Sequence, residues 1–227
     1  MKNISVIIPM WNKDEGTAYF GLRALMSLYE FVDRMALDMK VVIVDNASPV
    51  APIIPDHLAT ALKPLVITLE KNVGFGAGVN IGAKEFPETE YICQMNSDCE
   101  LVEDSLSMLI EVIEKYGVSV AMPESWDNCQ HYKMGKGQLS HIMDKNWRFG
   151  AFWVMPRSLW KKMNGFDEIY KMAYYEDFDL WRRIEASGGV IAGTRGTWVK
   201  HVGGASSHPK RDVYFEKNRK LFEERWK

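Results

Sequence analysis

The run YICQMNSDCEL, residues 91–101, decides the reading of this chain. Its first five residues have the composition of a short buried strand. The strand stops at Asn96-Ser97-Asp98, three polar residues in a row. The same design recurs toward the N-terminus. SVIIP (5–9) runs into Trp11-Asn12, and VVIV (41–44) runs into Asp45-Asn46. LVITL (65–69) and VSVAM (118–122) read as two further strands. Helical patterns lie between them. Residues 15–32 place Tyr19, Leu22, Leu25, Met26 and Tyr29 at helical spacing, VNIGAKEF (79–86) follows a glycine cluster, and 103–116 carry the stripe Leu106, Leu109, Ile110 and Ile113. Strands alternating with helices predict an α/β fold with a mostly parallel central sheet and helices on both faces. Ligands of such sheets sit outside the carboxyl ends of the strands. The polar ends at 9–12, 45–46 and 96–98 therefore mark the expected site.

Beyond residue 122 the pattern changes. Residues 123–148 read as a long polar loop or insert containing Trp126, His131, Tyr132 and Trp147. FGAFWVMP (149–156) and TWVKHV (197–202) are strand-like. Residues 176–187 predict a helix stopped by Gly188-Gly189, and 211–226 a basic, aromatic final helix. With no internal repeat or clear linker, residues 1–227 read as one domain of two lobes, 1–100 and 101–227.

With 47% hydrophobic and 26% charged residues over 227 positions, the composition excludes a disordered chain, a collagen-like fibre and a coiled coil. No apolar run approaches the roughly 18–20 residues of a spanning helix. The N-terminal MKNISVIIP reads as a strand rather than a signal peptide. Cys93, Cys99 and Cys129 form no C-x-x-C pair, which argues against a disulfide framework or structural zinc and for a reducing, cytoplasmic setting. Charge is divided unevenly. Residues 1–130 hold nine Lys/Arg against 19 Asp/Glu, and residues 131–227 hold 19 against 11. The basic half suits an anionic partner, or simply solvated faces.

Four motifs carry candidate chemistry. Asn96-Ser97-Asp98 places two oxygen ligands two residues apart, suited to Mg²⁺ or Mn²⁺, or else caps the next helix. Glu176-Asp177-Phe178-Asp179 opens a helix, where the macrodipole favours acids and keeps a general base ionised. KNVGFGAGVNIGAK (71–84) is a glycine-rich entry to a helix that either cradles phosphate or packs closely on a strand. Its spacing does not fit a dinucleotide-binding fingerprint, which argues against a dehydrogenase. His201 ends a strand before Gly203-Gly204 and is a candidate metal ligand.

Taken in order, these segments resemble glycosyltransferase family 2, the inverting nucleotide-sugar transferases of the GT-A fold, in their rhamnosyltransferase-like branch. SVIIPMWNK, VVIVDNAS, KNVGFGAGVNIGAK and QMNSDCEL resemble the donor-side segments, the last as that branch's version of the DXD motif. GAFWVMPRSLWKKMNGFDE, YYEDFDLWRR and KHVGGASS with its following helix resemble the acceptor-side segments. The resemblance implies a nucleotide-sugar-binding lobe over 1–100 and an acceptor-binding lobe over 101–227. It implies that Pro9, Trp11 and Asn12 line the base pocket, that Asp45 bonds the base or ribose, and that Asn72 and Asn80 shape the donor pocket. Asn96 and Ser97 would face the ribose or the metal, and Ser206 and Lys210 the diphosphate. Asp98 and His201 would hold Mg²⁺ or Mn²⁺, Asp177 would be the catalytic base, and Glu176 would position a substrate. The implied reaction is metal-assisted single displacement from a UDP- or dTDP-linked sugar to an acceptor hydroxyl. The acceptor would be an anionic lipid-linked glycan or a modified base in nucleic acid, with Trp126, Tyr132, Trp147 and Trp153 as stacking or core residues, at a cytoplasmic location or peripheral at a membrane surface. A nucleotidyltransferase and a non-catalytic nucleotide- or sugar-binding module are the alternatives.

Overall fold

The computed structural model describes residues 1–127, 150–205 and 211–227, with backbone alone at Trp126, Asp127 and Arg211. Strand β1 (Lys2–Met10) runs parallel to β2 (Leu37–Asp45) on one side and β4 (Tyr91–Met95) on the other, and β3 (Leu65–Thr68) continues the parallel set beyond β2. Ile4 to Met10 are all buried. Burial on both faces explains why these runs are continuously apolar rather than alternating.

The rest of the sheet mixes directions. β7 (Phe152–Pro156) lies antiparallel to β4, and β6 (Val120–Asp127) antiparallel to β7. β8 (Ile191–His201) runs parallel to β6, and β5 (Cys99–Leu101) closes the edge antiparallel to β8. The order across the eight strands is β3-β2-β1-β4-β7-β6-β8-β5. β6 extends through residue 127, so the expected loop over 123–148 begins as strand; residues 128–149 lie outside the described residues.

Helix α1 (Glu15–Val32) opens with a capping box in which the Asp14 carboxylate accepts from Thr17 N at 2.8 Å and Asp14 N donates to Thr17 Oγ1 at 3.1 Å. Its buried face is Ala18, Gly21, Ala24, Leu25 and Leu28. Three large residues expected to pack inward instead face out: Tyr19, Met26 and Tyr29 are 54%, 49% and 42% exposed. Small residues make the contact because the helix lies close to the sheet; a Cβ on Gly21 would stand 3.1 Å from Met10 Sδ. Helix α3 (Phe75–Gly82) lies as close, since a Cβ on Gly82 would meet Ile7 at 2.7 Å and Val44 at 2.8 Å. Ile7 and Met10 are three residues apart on β1 and point to opposite faces, so α1 and α3 cover the two sides of the sheet.

Helix α4 (Ser105–Tyr116) packs on β6 and β8 and ends at Gly117 with φ +63°. Helix α6 (Glu176–Ala186) stops at Ser187-Gly188, as expected. The short helices α2 (Asp56–Leu62) and α5 (Arg157–Met163), like β5, carry too few residues to show a period. Helix α7 (Arg211–Arg225) closes the chain. Trp153 is fully buried, with ring centroids of Trp160, Phe166 and Trp181 at 5.6–6.1 Å, and so belongs to the core. Among the described helices, none is long and apolar enough to cross a membrane.

Candidate active site

β1, β2 and β4 are parallel, so their carboxyl ends emerge on one edge of the sheet. Pro9, Trp11, Asn46, Asn96, Ser97 and Asp98 come together there, around a cavity of about 620 Å³. That volume is in the range of small-molecule sites. The antiparallel entry of β7 brings its first residues to the same edge: Met95 pairs with Phe152, and Asn96 N donates to Ala151 O at 2.8 Å. β5 performs the same service for β8. Cys99 pairs with His201, Val202 N donates to Asp98 O at 3.1 Å, and His201 Nε2 lies 3.4 Å from Asp98 Oδ1.

Asn96 and Asp98 do not cap the next helix. Asp104 does, accepting from Ser107 N at 3.0 Å, and β5 intervenes. Gln94, fully buried, donates from Nε2 to Asn96 Oδ1 at 2.8 Å. Ala151 O, 3.5 Å from the same nitrogen, fixes which end of the Gln94 amide faces Asn96. Asn96 therefore lines the cavity with its oxygen engaged by Gln94.

Asp98, Cys99 and His201 hold ligand atoms all within 4.8 Å of one another. Asp98 and His201 line the cavity, whereas Cys99 is fully buried with Sγ 3.5 Å from Ala151 O. One carboxylate and one imidazole beside an open cavity fit a divalent cation that keeps several sites for other oxygens.

Glu176 and Asp177 line the opposite group of elements, at the start of α6. Asp177 Oδ1 accepts from Phe178 N at 2.8 Å, which favours the carboxylate, but burial outweighs this and raises its pKa above the ordinary value. Burial, and then the Asp177 charge, push Glu176 well above the usual carboxylate range. Among the described residues its buried Oε2 has no hydrogen-bond partner. The helix dipole thus matters less here than desolvation. Asp179 is fully buried and structural: it takes Arg183 Nε at 2.7 Å, Trp226 Nε1 at 3.0 Å and Tyr170 OH at 3.3 Å.

The glycine-rich segment is a packing face. A Cβ on Gly74 would lie 2.8 Å from Met172 N, one on Gly76 3.4 Å from Glu176 Cγ, and one on Gly78 3.4 Å from Asn46 Nδ2. Its glycines let α3 seat the loop that carries the two acids.

Asn72 lines the cavity, with Oδ1 accepting from Gly74 N at 2.9 Å. Three expected residues do not reach the cavity wall. Asn80 ties down another loop, donating to Phe166 O at 2.9 Å and accepting from Phe166 N at 2.9 Å. Asp45 Oδ1 accepts from Ser48 N at 3.0 Å, and its neighbour Asn46 takes the cavity position, locked by Gly74 O at 3.0 Å and Val73 N at 2.8 Å. Asn12 is 1% exposed and holds the 48–50 segment by its main chain, Asn12 N donating to Ser48 Oγ at 2.8 Å and Val50 N to Asn12 O at 3.0 Å. Ser206, Lys210, His131, Tyr132 and Trp147 lie outside the described residues.

The sequence reading missed Gly150 and the aromatic side of the cavity, formed by Tyr174, Tyr175, Phe178, Tyr214 and Phe215. Tyr175 lies 5.3 Å from Phe215 and 5.7 Å from Phe178, ring to ring. Two aromatic pairs in the sequence, Tyr174-Tyr175 and Tyr214-Phe215, were the available signal. Among the described residues no Lys or Arg lines this cavity.

No curated protein matches the chain in sequence. Among solved structures it is similar to S. aureus TarS 1–349 in complex with UDP-GlcNAc, with TM-score 0.70 and 17% identity over 98% of this chain and 65% of that one. It is similar to S. aureus TarS with TM-score 0.69 and 18% identity over 98% and 39%. It is also similar to GalNAc-T7 with UDP, GalNAc and Mn²⁺, with TM-score 0.71 and 15% identity over 100% and 48%. The chain spans less than two thirds of the length of each. These likenesses show the expected GT-A fold, a curled eight-stranded sheet with helices. The model of the family described as Glycosyl transferase family 2 matches residues 5–182, from β1 into α6. The chain therefore belongs to glycosyl transferase family 2.

Proposed function

We propose that this protein is an inverting glycosyltransferase that moves a sugar from a nucleoside-diphosphate sugar, UDP-linked in the first instance, to an acceptor hydroxyl. One observation carries the reading: two acids with raised pKa values, Glu176 and Asp177, share a single cavity with the Asp98–His201 pair at the strand ends. The neighbours' complexes with UDP, UDP-GlcNAc and Mn²⁺ support the donor class and the cation.

In this reading Pro9, Trp11 and Asn72 border the nucleotide. Asn96 donates from Nδ2 to a ribose or phosphate oxygen. Asp98 and His201 would hold Mg²⁺ or Mn²⁺, whose charge would offset that developing on the leaving diphosphate. Asp177, its basicity raised by burial, takes the proton from the acceptor hydroxyl, and that oxygen attacks the anomeric carbon from the face opposite the diphosphate. Glu176, its carboxyl pushed up by burial, orients a sugar hydroxyl. The aromatic side of the cavity receives the acceptor ring.

The test is a thermal-shift panel of UDP, dTDP, GDP and their sugar conjugates, with and without Mg²⁺ or Mn²⁺, because a ligand of the folded state raises its melting temperature by mass action. A cation-dependent shift with UDP and UDP-sugars is expected. A shift with nucleoside triphosphates alone would replace this reading with nucleotidyl transfer. Asp177→Asn is expected to bind UDP normally and to lose about 10²–10⁴ in turnover, the usual contribution of a positioned base.

A further inference from the structure

Helix α7 lies entirely beyond residue 182, where the family match ends. Its residue Asn218 is 1% exposed. The Asn218 Nδ2 atom meets three main-chain carbonyls of a single loop, Lys171 O at 2.9 Å, Ala173 O at 2.9 Å and Tyr174 O at 3.0 Å. A primary amide has two hydrogens, so at least one is shared between carbonyls.

The loop it grips leads directly into Glu176 and Asp177. Three of its non-glycine residues are left-handed: Met172 at φ +64°, Tyr174 at +80° and Tyr175 at +73°. Side chains disfavour that region, and residues stay there only where their surroundings hold them. One hold comes from α3, where Phe75 N donates to Met172 O and Gly74 leaves room for the Met172 main chain. Tyr175 begins α6 with no side-chain cap. Asn218 supplies the second hold from the other side.

Helix α7 is itself fixed. Trp226 Nε1 donates to Asp179 Oδ1 at 3.0 Å, and Arg225 pairs with Asp167 and with Asp179. The Phe222 ring lies 5.4 Å from that of Tyr175, tilted, and 6.2 Å from that of Phe178, edge-on. A helix that only covered apolar surface would place an aliphatic residue at 218; an amide aimed at three carbonyls is specific to the loop's shape.

We propose that Asn218 is a positioning residue for the acids of the active site, holding the 171–175 loop in the conformation that presents Asp177 to the cavity. The proposal rests on the reading of Asp177 as the base. Asn218 touches no substrate; it acts through the loop.

Hydrogen exchange by mass spectrometry tests this without a substrate, comparing wild type with Asn218→Ala and with Lys217→Ala, an exposed neighbour. Peptides covering 171–178 are expected to exchange at least about tenfold faster in Asn218→Ala, since leaving buried carbonyls without a donor favours local opening by that order. Exchange in β1 to β4 and in Lys217→Ala stays unchanged. UDP affinity is expected to stay within about threefold, while kcat with UDP-GlcNAc falls at unchanged KM, as expected for loss of geometry rather than of binding. Asn218→Ser, which keeps one donor, takes its place if the alanine variant does not fold, and is expected to show partial protection. Unchanged exchange at 171–178, or faster exchange spread evenly over the chain, overturns the positioning role. Retained turnover in Asp177→Asn overturns the base assignment instead, so the two failures are distinct.

Discussion

Gly150→Ala puts the sharpest strain on the proposed base. A Cβ built on Gly150 would lie 2.2 Å from Asp177 Oδ2 and 3.2 Å from its Cγ. Real Cβ contacts stay beyond 3.0 Å, so the oxygen must retreat by at least 3.0 − 2.2, about 0.8 Å. The atom that has to move is the end of a side chain rather than backbone. The fold should therefore absorb the change at small cost, while Asp177 turns away from its bond to Phe178 N. Misplacing a reacting group by roughly 1 Å costs on the order of 10²-fold in rate. The expected outcome is a fall of about that size in kcat for UDP release from a UDP-sugar, with the melting temperature and the UDP affinity nearly unchanged. Initial rates, a thermal melt and calorimetric titration with UDP read the three quantities. Wild-type turnover in Gly150→Ala would refute the argument, because it would mean that the Asp177 carboxylate need not occupy its observed position. A large drop in melting temperature would refute it differently, by showing that the main chain rather than the side chain gives way.

Glu176→Gln should stabilise the protein at neutral and alkaline pH. The Glu176 carboxyl titrates well above its ordinary value because of burial and the Asp177 charge. Between the ordinary and raised values the native state holds more protons than the unfolded one, so stability falls as pH rises through that window. Glutamine mimics the protonated form, so the gain in melting temperature should be larger at pH 8 than at pH 5; equal gains would contradict the burial argument. Asn96→Asp should tighten Mn²⁺ binding by about tenfold, because a second carboxylate joins Asp98 while Gln94 Nε2 still finds an acceptor. Titration of Mn²⁺ followed by electron paramagnetic resonance measures it, and unchanged affinity would place residue 96 away from the cation.

The two halves of the site differed in how far they could be read in advance. Pro9, Trp11, Asn96, Ser97 and Asp98, each at or just past the end of an apolar run, do line the cavity, because the end of a parallel strand is where a side chain can reach a ligand. Glu176 and Asp177 were found as acids at a helix start, but the expectation that the dipole governs them was wrong. Desolvation governs, and it depends on what packs around them. Asn80 and Asp45 look alike in sequence to Asn72 and Asn46, yet one member of each pair lines the cavity and the other secures a turn. For Asp45 and Asn46, a one-residue shift along a strand end reverses where the side chain points, and polarity alone does not reveal the shift.

The sequence by itself determined the α/β class, the parallel core of β1, β2 and β4, and the strand ends that line the cavity. Those features come from local periodicity and from burial on both faces of a strand, which the residue types record directly. Only the tertiary structure decided the rest: the antiparallel entry of β7 and the parallel run of β8 that carry Gly150 and His201 to the same edge, and the packing of α3 glycines and of Asn218 on the loop before Asp177. These contacts join residues 44 to more than 100 positions apart, and their formation depends on matching shapes and donor–acceptor pairs across the fold. No window of sequence around either partner contains that information.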